Sequence, residues 1–129
     1  MKTAVVTGVS TGIGRGTASI LIKRGWHVFG SVRKEADAQV LKGAFGEAFT
    51  PLIFDVEDND AVLVAARDVR AQLGGRTLDG LVNNAGSSFT DPLLVQSVAD
   101  FRKQIDINLV GVFADCARQI PREAARVRR

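Results

Sequence analysis

A chain of 129 residues is long enough for one domain with its own core and too short for two ordinary ones. With 46% apolar and 24% charged residues, and no apolar run near the ~20 residues that cross a bilayer, the composition predicts a globular cytoplasmic domain with no membrane partner. The formal charge of +3 points to nucleic acid only until it is located: five arginines against Glu123 put +4 on residues 118–129, so residues 1–117 carry −1, and the basic end has no aromatic residue for base stacking.

The N-terminus MKTAVVTG reaches Thr7 and Gly8 after three apolar residues, so no export signal is expected. The single Cys116 fits a reducing compartment, and the only histidine, His27, lies in another segment, so neither a disulfide nor a metal site is expected. Residues 2–7 read as a short apolar strand, of the kind buried on both faces of a parallel sheet. The loop TGVSTGIG at 7–14 follows it directly. From Gly14, positions Ala18, Leu21 and Ile22 share one helical face, and Gly25 supplies a stop.

Trp26 to Val32 forms a second strand, ending in Arg33 and Lys34. A weaker helix follows, with Val40, Leu41 and Phe45 expected inward and Gly43 and Gly46 loosening its end. Phe49 to Phe54 is a third strand, in which Pro51 points to an edge or a strand beginning because proline cannot donate to a ladder. Asp58 or Asn59 can cap a third helix in which Val62, Ala66, Val69 and Leu73 recur at helical spacing, ended by Gly74 and Gly75.

Leu78 to Val82 makes a fourth strand, running into Asn83, Asn84, Ala85 and Gly86. After a polar loop, Ser97 with Asp100 three positions on is close to a capping box. The stripe Val98, Phe101, Ile105, Leu109, Val112 and Cys116 then marks a long fourth helix to about Ala117. Four alternations of strand and helix predict an α/β domain over residues 1–117: a Rossmann-like, doubly wound parallel sheet, cut off after about four strands and four helices. Residues 118–129 read as a basic tail, either without order or as a short helix after Pro121.

The glycines at 8, 12 and 14 depart from the G-x-G-x-x-G spacing, but a strand before them and a helix after them suit a backbone that closes on a pyrophosphate. An ordinary glycine-rich turn is the alternative. Together, TGVSTGIG at 7–14, Asp55-Val56 after the third strand, NNAG at 83–86 and INLVG at 107–111 resemble the short-chain dehydrogenase/reductase family. That resemblance implies that Gly8, Ser10, Thr11, Gly12, Ile13 and Gly14 line the pyrophosphate and ribose of a dinucleotide. It further implies that Asp55 and Val56 hold the adenine edge, and that Asn83, Ala85 and Gly86 shape the adjoining wall. In such proteins Asn108 bends its helix and holds a water of the proton relay, a supporting role in catalysis.

The end of the second strand is where a ribose 2′ position is read. It carries no acid, and Arg33 and Lys34 there could pair with a 2′-phosphate, so NADP is expected, with NAD as the alternative. The family's catalytic tyrosine and lysine, in a YxxxK arrangement after a serine, have no counterpart here, since the sequence contains no tyrosine. The expected function is therefore the cofactor-binding half of an oxidoreductase acting on a carbonyl or alcohol, inactive alone, as a truncated or frame-changed product. The alternative is a non-catalytic dinucleotide-binding or interaction module. An uncovered apolar face on the fourth helix would favour self-association.

Overall fold

Four parallel strands lie in the order β3, β2, β1, β4 in the computed structural model, which describes residues 1–88 and 90–119. They are β1 (Thr3–Val6), β2 (His27–Val32), β3 (Phe49–Ile53) and β4 (Gly80–Val82). The registers pair Ala4 with Val28 and with Gly80, and Val28 with Phe49. Every residue of β1 is buried, as a central strand covered on both faces must be. Its short run of small and β-branched residues is therefore a core signal. Pro51 sits in the edge strand β3, where a missing donor is tolerated.

The helices are α1 (Gly12–Lys23), α2 (Glu35–Phe45), α3 (Asn59–Leu73), α4 (Val98–Ile105) and α5 (Gly111–Gln119). Alternation along the strands separates two cores. Val6, Val9, Val28, Val32 and Phe49 meet Ala18 of α1 and Ala38 and Leu41 of α2 on one face. Val5, Phe29, Leu52 and Phe54 meet Val62, Ala65, Val69 and Leu73 of α3, with Ile107, on the other. Phe49 is wholly buried and stacks at a tilt on Phe45, ring centroids 5.5 Å apart, which makes it one of the larger single contributions at roughly 2–3 kcal/mol.

The chain winds outward from β1 through β2 to β3, and α3 then carries it back to place β4 on the other side of β1. The winding direction reverses between β1 and β4. Strand order there opens a crevice beyond the carboxyl ends of the strands.

Some expected details change. Val40 is 60% exposed, and Ala38 takes the inward position, because Ala38, Leu41 and Phe45 share one face of α2 while Val40 lies about 200° round from Ala38. Asp58, not Asn59, caps α3, its carboxylate accepting from the amides of Asp60 and Ala61. β4 starts at Gly80 instead of Leu78, since Asp79 turns its carboxylate back to accept from the Thr3 amide at 2.8 Å.

The long fourth helix is present but not uniform. α4 widens into a π turn over Asp106–Val110 before continuing as α5. Its apolar stripe stays outside, with Val98, Phe101, Ile105 and Leu109 all exposed, while Ile107, Gly111, Ala114 and Asp115 face inward. Ser97 caps α4 through the Asp100 amide, and the shorter Asp100 side chain receives the Ser97 hydroxyl at 2.7 Å. The basic tail falls outside the described residues from position 120 on. None of the described helices is long and apolar enough to cross a membrane.

Candidate functional site

The loop after β1 is clamped from both neighbouring strands. Thr7, 1% exposed, accepts at Oγ1 from the backbone amides of Asn84 and Ala85, at 3.0 and 2.9 Å. Asn84 Nδ2 donates back to the Thr7 and Gly8 carbonyls, at 3.0 and 2.9 Å. On the other side, the Gly8 amide donates to Ser31 Oγ at 2.9 Å. Backbone groups that would otherwise lie unpaired at the strand ends are thereby satisfied.

Two glycines are dictated by this packing. Gly8 has φ of +69°, and a Cβ on it would approach Ala85 Cα to 2.9 Å. A Cβ on Gly14 would overlap the Gly8 carbonyl oxygen and Asn84 Nδ2. Both positions need the bare backbone, one for its dihedral and one for its closeness. The loop then delivers the chain to α1, whose N-cap residue Thr11 is extended and makes no side-chain cap bond. No acid stands in the first turn of α1. This positive helix end has no carboxylate of its own against it.

In front of it lies a crevice of about 550 Å³. Of the residues singled out from sequence, Gly8, Ser10, Thr11, Arg33, Asp55, Val56, Ala85 and Gly86 line it. Gly12, Ile13 and Gly14 do not: Gly14 is buried under the loop, and the Ile13 side chain is 83% exposed. Asn83 turns away, its Nδ2 donating to Cys116 Sγ at 3.2 Å. Asn108 stands one step behind the wall within the π turn, where its Oδ1 accepts from the Ser87 amide at 3.0 Å and its Nδ2 donates to the Ser87 carbonyl at 2.7 Å. That reciprocal pair fixes the loop after β4 against the fourth helix.

Sequence reasoning missed Ser31, Glu57, Asn84, Ser87, Lys103 and Ile107, all of which line the same space. The four-residue spacing of Lys103 and Ile107 was a usable signal, as it puts both on one helix face. Asp55 makes a tight turn, its Oδ1 accepting from the Glu57 amide at 3.0 Å and its carbonyl from the Asp58 amide. Lys34 occupies the N-cap position of α2 and is not part of the lining.

Among the described residues, three buried side-chain atoms make no hydrogen bond: Asn83 Oδ1, Ser87 Oγ and Asp115 Oδ1. Each such atom costs about 1–3 kcal/mol relative to a paired one. Burial pushes the Asp115 carboxyl up to about 6, because the anion loses its water. His27, beside Phe29 and hydrogen-bonded at Nε2 to Thr50 Oγ1, is lowered by burial, then by the charges of Lys42 and Arg76.

The sequence model of the family described as short chain dehydrogenase matches residues 2–126. Among similar proteins, an NADPH-dependent 3-dehydrocapnine reductase of Ornithobacterium rhinotracheale is 38% identical over 109 residues, covering 84% of this chain and 38% of that protein. Serine 3-dehydrogenase of Agrobacterium fabrum is 35% identical over 114 residues, covering 85% and 44%. The crystal structure of a short-chain dehydrogenase from Streptomyces avermitilis superposes with a TM-score of 0.88 at 28% identity, over 98% of this chain and 46% of that one. The chain thus spans 38% to 46% of the length of these three proteins.

Proposed function

Because this chain belongs to the short chain dehydrogenase family, we propose that it seats NADP(H) along the carboxyl ends of its strands, as the cofactor-holding part of an oxidoreductase that interconverts a carbonyl and an alcohol. The observation that carries this reading is the uncapped, acid-free N-terminus of α1, held open onto the crevice by a doubly clamped loop. The residues present fit the group. An anion at that helix end meets backbone amides and a favourable dipole, and side chains at Gly8 or Gly14 would destroy the cradle.

Gly8, Ser10 and Thr11 on the lining are assigned to the pyrophosphate and ribose, with Gly12, Ile13 and Gly14 completing the turn behind them; Asp55 and Val56 are assigned to the adenine edge, and Ala85 and Gly86, backed by Asn83, to the adjoining wall. Arg33 pairs with the 2′-phosphate, since it lies on the crevice lining just past β2, and that strand end carries no acid of its own. A similar protein described as NADPH-dependent supports NADP over NAD. When bound, the nicotinamide ring carries the hydride to be exchanged. Asn108 acts as a strut that keeps the wall beside the ring in place and holds a water for proton transfer.

No tyrosine is present among the 129 residues, so the proton donor that this chemistry uses is not a tyrosine of this stretch. The chain alone binds and does not turn over. The lone Cys116, a free thiol, supports a reducing, cytoplasmic setting. Calorimetric titration with NADPH and NADH tests the assignment: NADPH should bind at least about tenfold tighter, and Arg33→Ala should remove most of that difference. Binding of neither nucleotide at millimolar concentration would overturn it.

A second reading has its own observation. Val98, Phe101, Ile105, Leu109 and Phe113 form an exposed apolar row on the fourth helix, and contiguous exposed apolar surface favours association. On this reading the chain is an interaction module that self-associates through that row. Light scattering should then give a mass that rises with concentration, and a constant monomeric mass would refute it.

A further inference from the structure

We propose that Lys103 is a second determinant of the cofactor's 2′-phosphate, acting with Arg33 from the opposite layer of the fold; this rests on the dinucleotide reading above. Four charged side chains line the crevice. Arg33 stands at the end of β2, Asp55 and Glu57 on the turn after β3, and Lys103 on α4. Two carboxylates facing a single guanidinium would leave that space net negative, a poor seat for a phosphate carrying nearly two negative charges. With Lys103 the charges balance, and a phosphate can enter without net repulsion.

The placement of Lys103 is set by the core. It precedes Ile107 by four residues and so shares its helix face, and Ile107 is 9% exposed, packed in the same cluster as Val56 and Phe54. The anchored Ile107 therefore directs that face of α4 at the turn carrying Asp55 and Glu57. Among the described residues Lys103 has no ion pair and no hydrogen bond that would hold it elsewhere. Its side chain is exposed, with a flexible stem and three donors that act as a point charge toward whichever phosphate oxygen approaches. Arg33 approaches from the α1–α2 layer, where its neighbour Val32 is packed, and Lys103 from the α3–α4 layer. The phosphate lies between them.

The experiment compares NADPH and NADH binding by titration calorimetry for the 129-residue protein, Lys103→Ala, Lys103→Arg, Lys103→Glu and Arg33→Ala. Lys103→Ala should weaken NADPH by about two- to fivefold and leave NADH unchanged within error, as expected for one exposed charge pair. Lys103→Arg should retain the affinity, Lys103→Glu should lower it further, and the loss in Lys103→Ala should shrink as salt rises. Circular dichroism should be unchanged in each, since the side chain supports no packing. If the wild type prefers NADPH but Lys103→Ala binds both nucleotides as before, or weakens both equally, the role of Lys103 is overturned and the dinucleotide site stands. If the wild type binds neither nucleotide, both readings fall.

Discussion

Two helices of this fold begin in the same way and are finished differently. α1 follows β1, and α3 follows β3, each after a tight turn at the carboxyl edge of the sheet. At α3, Asp58 accepts from the Asp60 and Ala61 amides at 3.1 and 3.0 Å, and Asp60 adds a second acid to the first turn. At α1, Thr11 offers no side-chain bond, and glycines stand at positions 12 and 14. The α3 terminus is satisfied internally and repels anions. The α1 terminus forgoes about 1 kcal/mol of capping and keeps its amides for something outside the chain. Of the helices that follow β1, β2 and β3, α2 also lacks a side-chain cap but carries Glu35 and Asp37 in its first turn, so α1 alone has neither cap nor acid, and such a conflict with local preference marks a functional site.

The comparison can be broken most severely at Gly14. Gly14→Ala puts a methyl group onto the Gly8 carbonyl and the Asn84 amide, so a loss of about 3 kcal/mol in a urea titration is expected, with loss of nucleotide binding. A drop below about 1 kcal/mol would show that the loop is softer than its clamps imply.

Next in size is a pH effect on the α3 side, where α5 packs against α3 and buries Asp115. The folded state holds the Asp115 proton up to about 6, against an ordinary 3.8. Between those values the folded form binds more protons than the unfolded, so stability falls as pH rises from about 4 to 6 and stays reduced above. A shift of that size corresponds to at most ~3 kcal/mol. Asp115→Asn should flatten this dependence and raise stability at pH 8 by about 2 kcal/mol, read from melting curves across pH. Unchanged pH dependence would remove Asp115 as its source.

The smallest pair exchanges the two termini. Thr11→Asp gives α1 the cap of α3, and should raise stability by about 0.5–1 kcal/mol while weakening NADPH at least about tenfold. Asp58→Ala should cost about 1 kcal/mol and leave nucleotide binding within experimental error. If Thr11→Asp binds NADPH normally, the open terminus of α1 is not where the anion sits.

Apolar spacing made the layers legible: Val62, Ala66, Val69 and Leu73 are all buried as read, and Pro51 marked the edge strand. The stripe through Phe101, Ile105 and Leu109 announced a helix correctly but not which of its faces meets the sheet, because Ile107 and Ala114 belong to a second stripe brought inward across the π turn. Val40 failed for a simpler reason: beside Leu41 it competes for the core, and only the helix phase set by Ala38 decides.

At the crevice, residues near the glycine loop were readable as one local strand, turn and helix. Asn84 was not distinguished from Asn83, since which amide meets Thr7 depends on the register of β4 against β1, fixed across more than seventy residues. Lys103 was hidden for the same reason, since it joins the crevice lining only once Ile107 has packed against Phe54 and Val56.

The Thr7 to Asn84 clamp has a kinetic meaning as well. Its partners are 77 positions apart, whereas β1, β2 and β3 join through successive short crossovers. Closing a loop of that length costs on the order of 4 kcal/mol in chain entropy, and long-range pairings of this kind form late. The glycine loop would therefore be assembled early but locked last, when β4 returns to β1. A nucleotide bound across that seam favours the closed chain in proportion to its concentration over its Kd. On the proposed reading, the ligand would be the final fastener of the fold that recognises it.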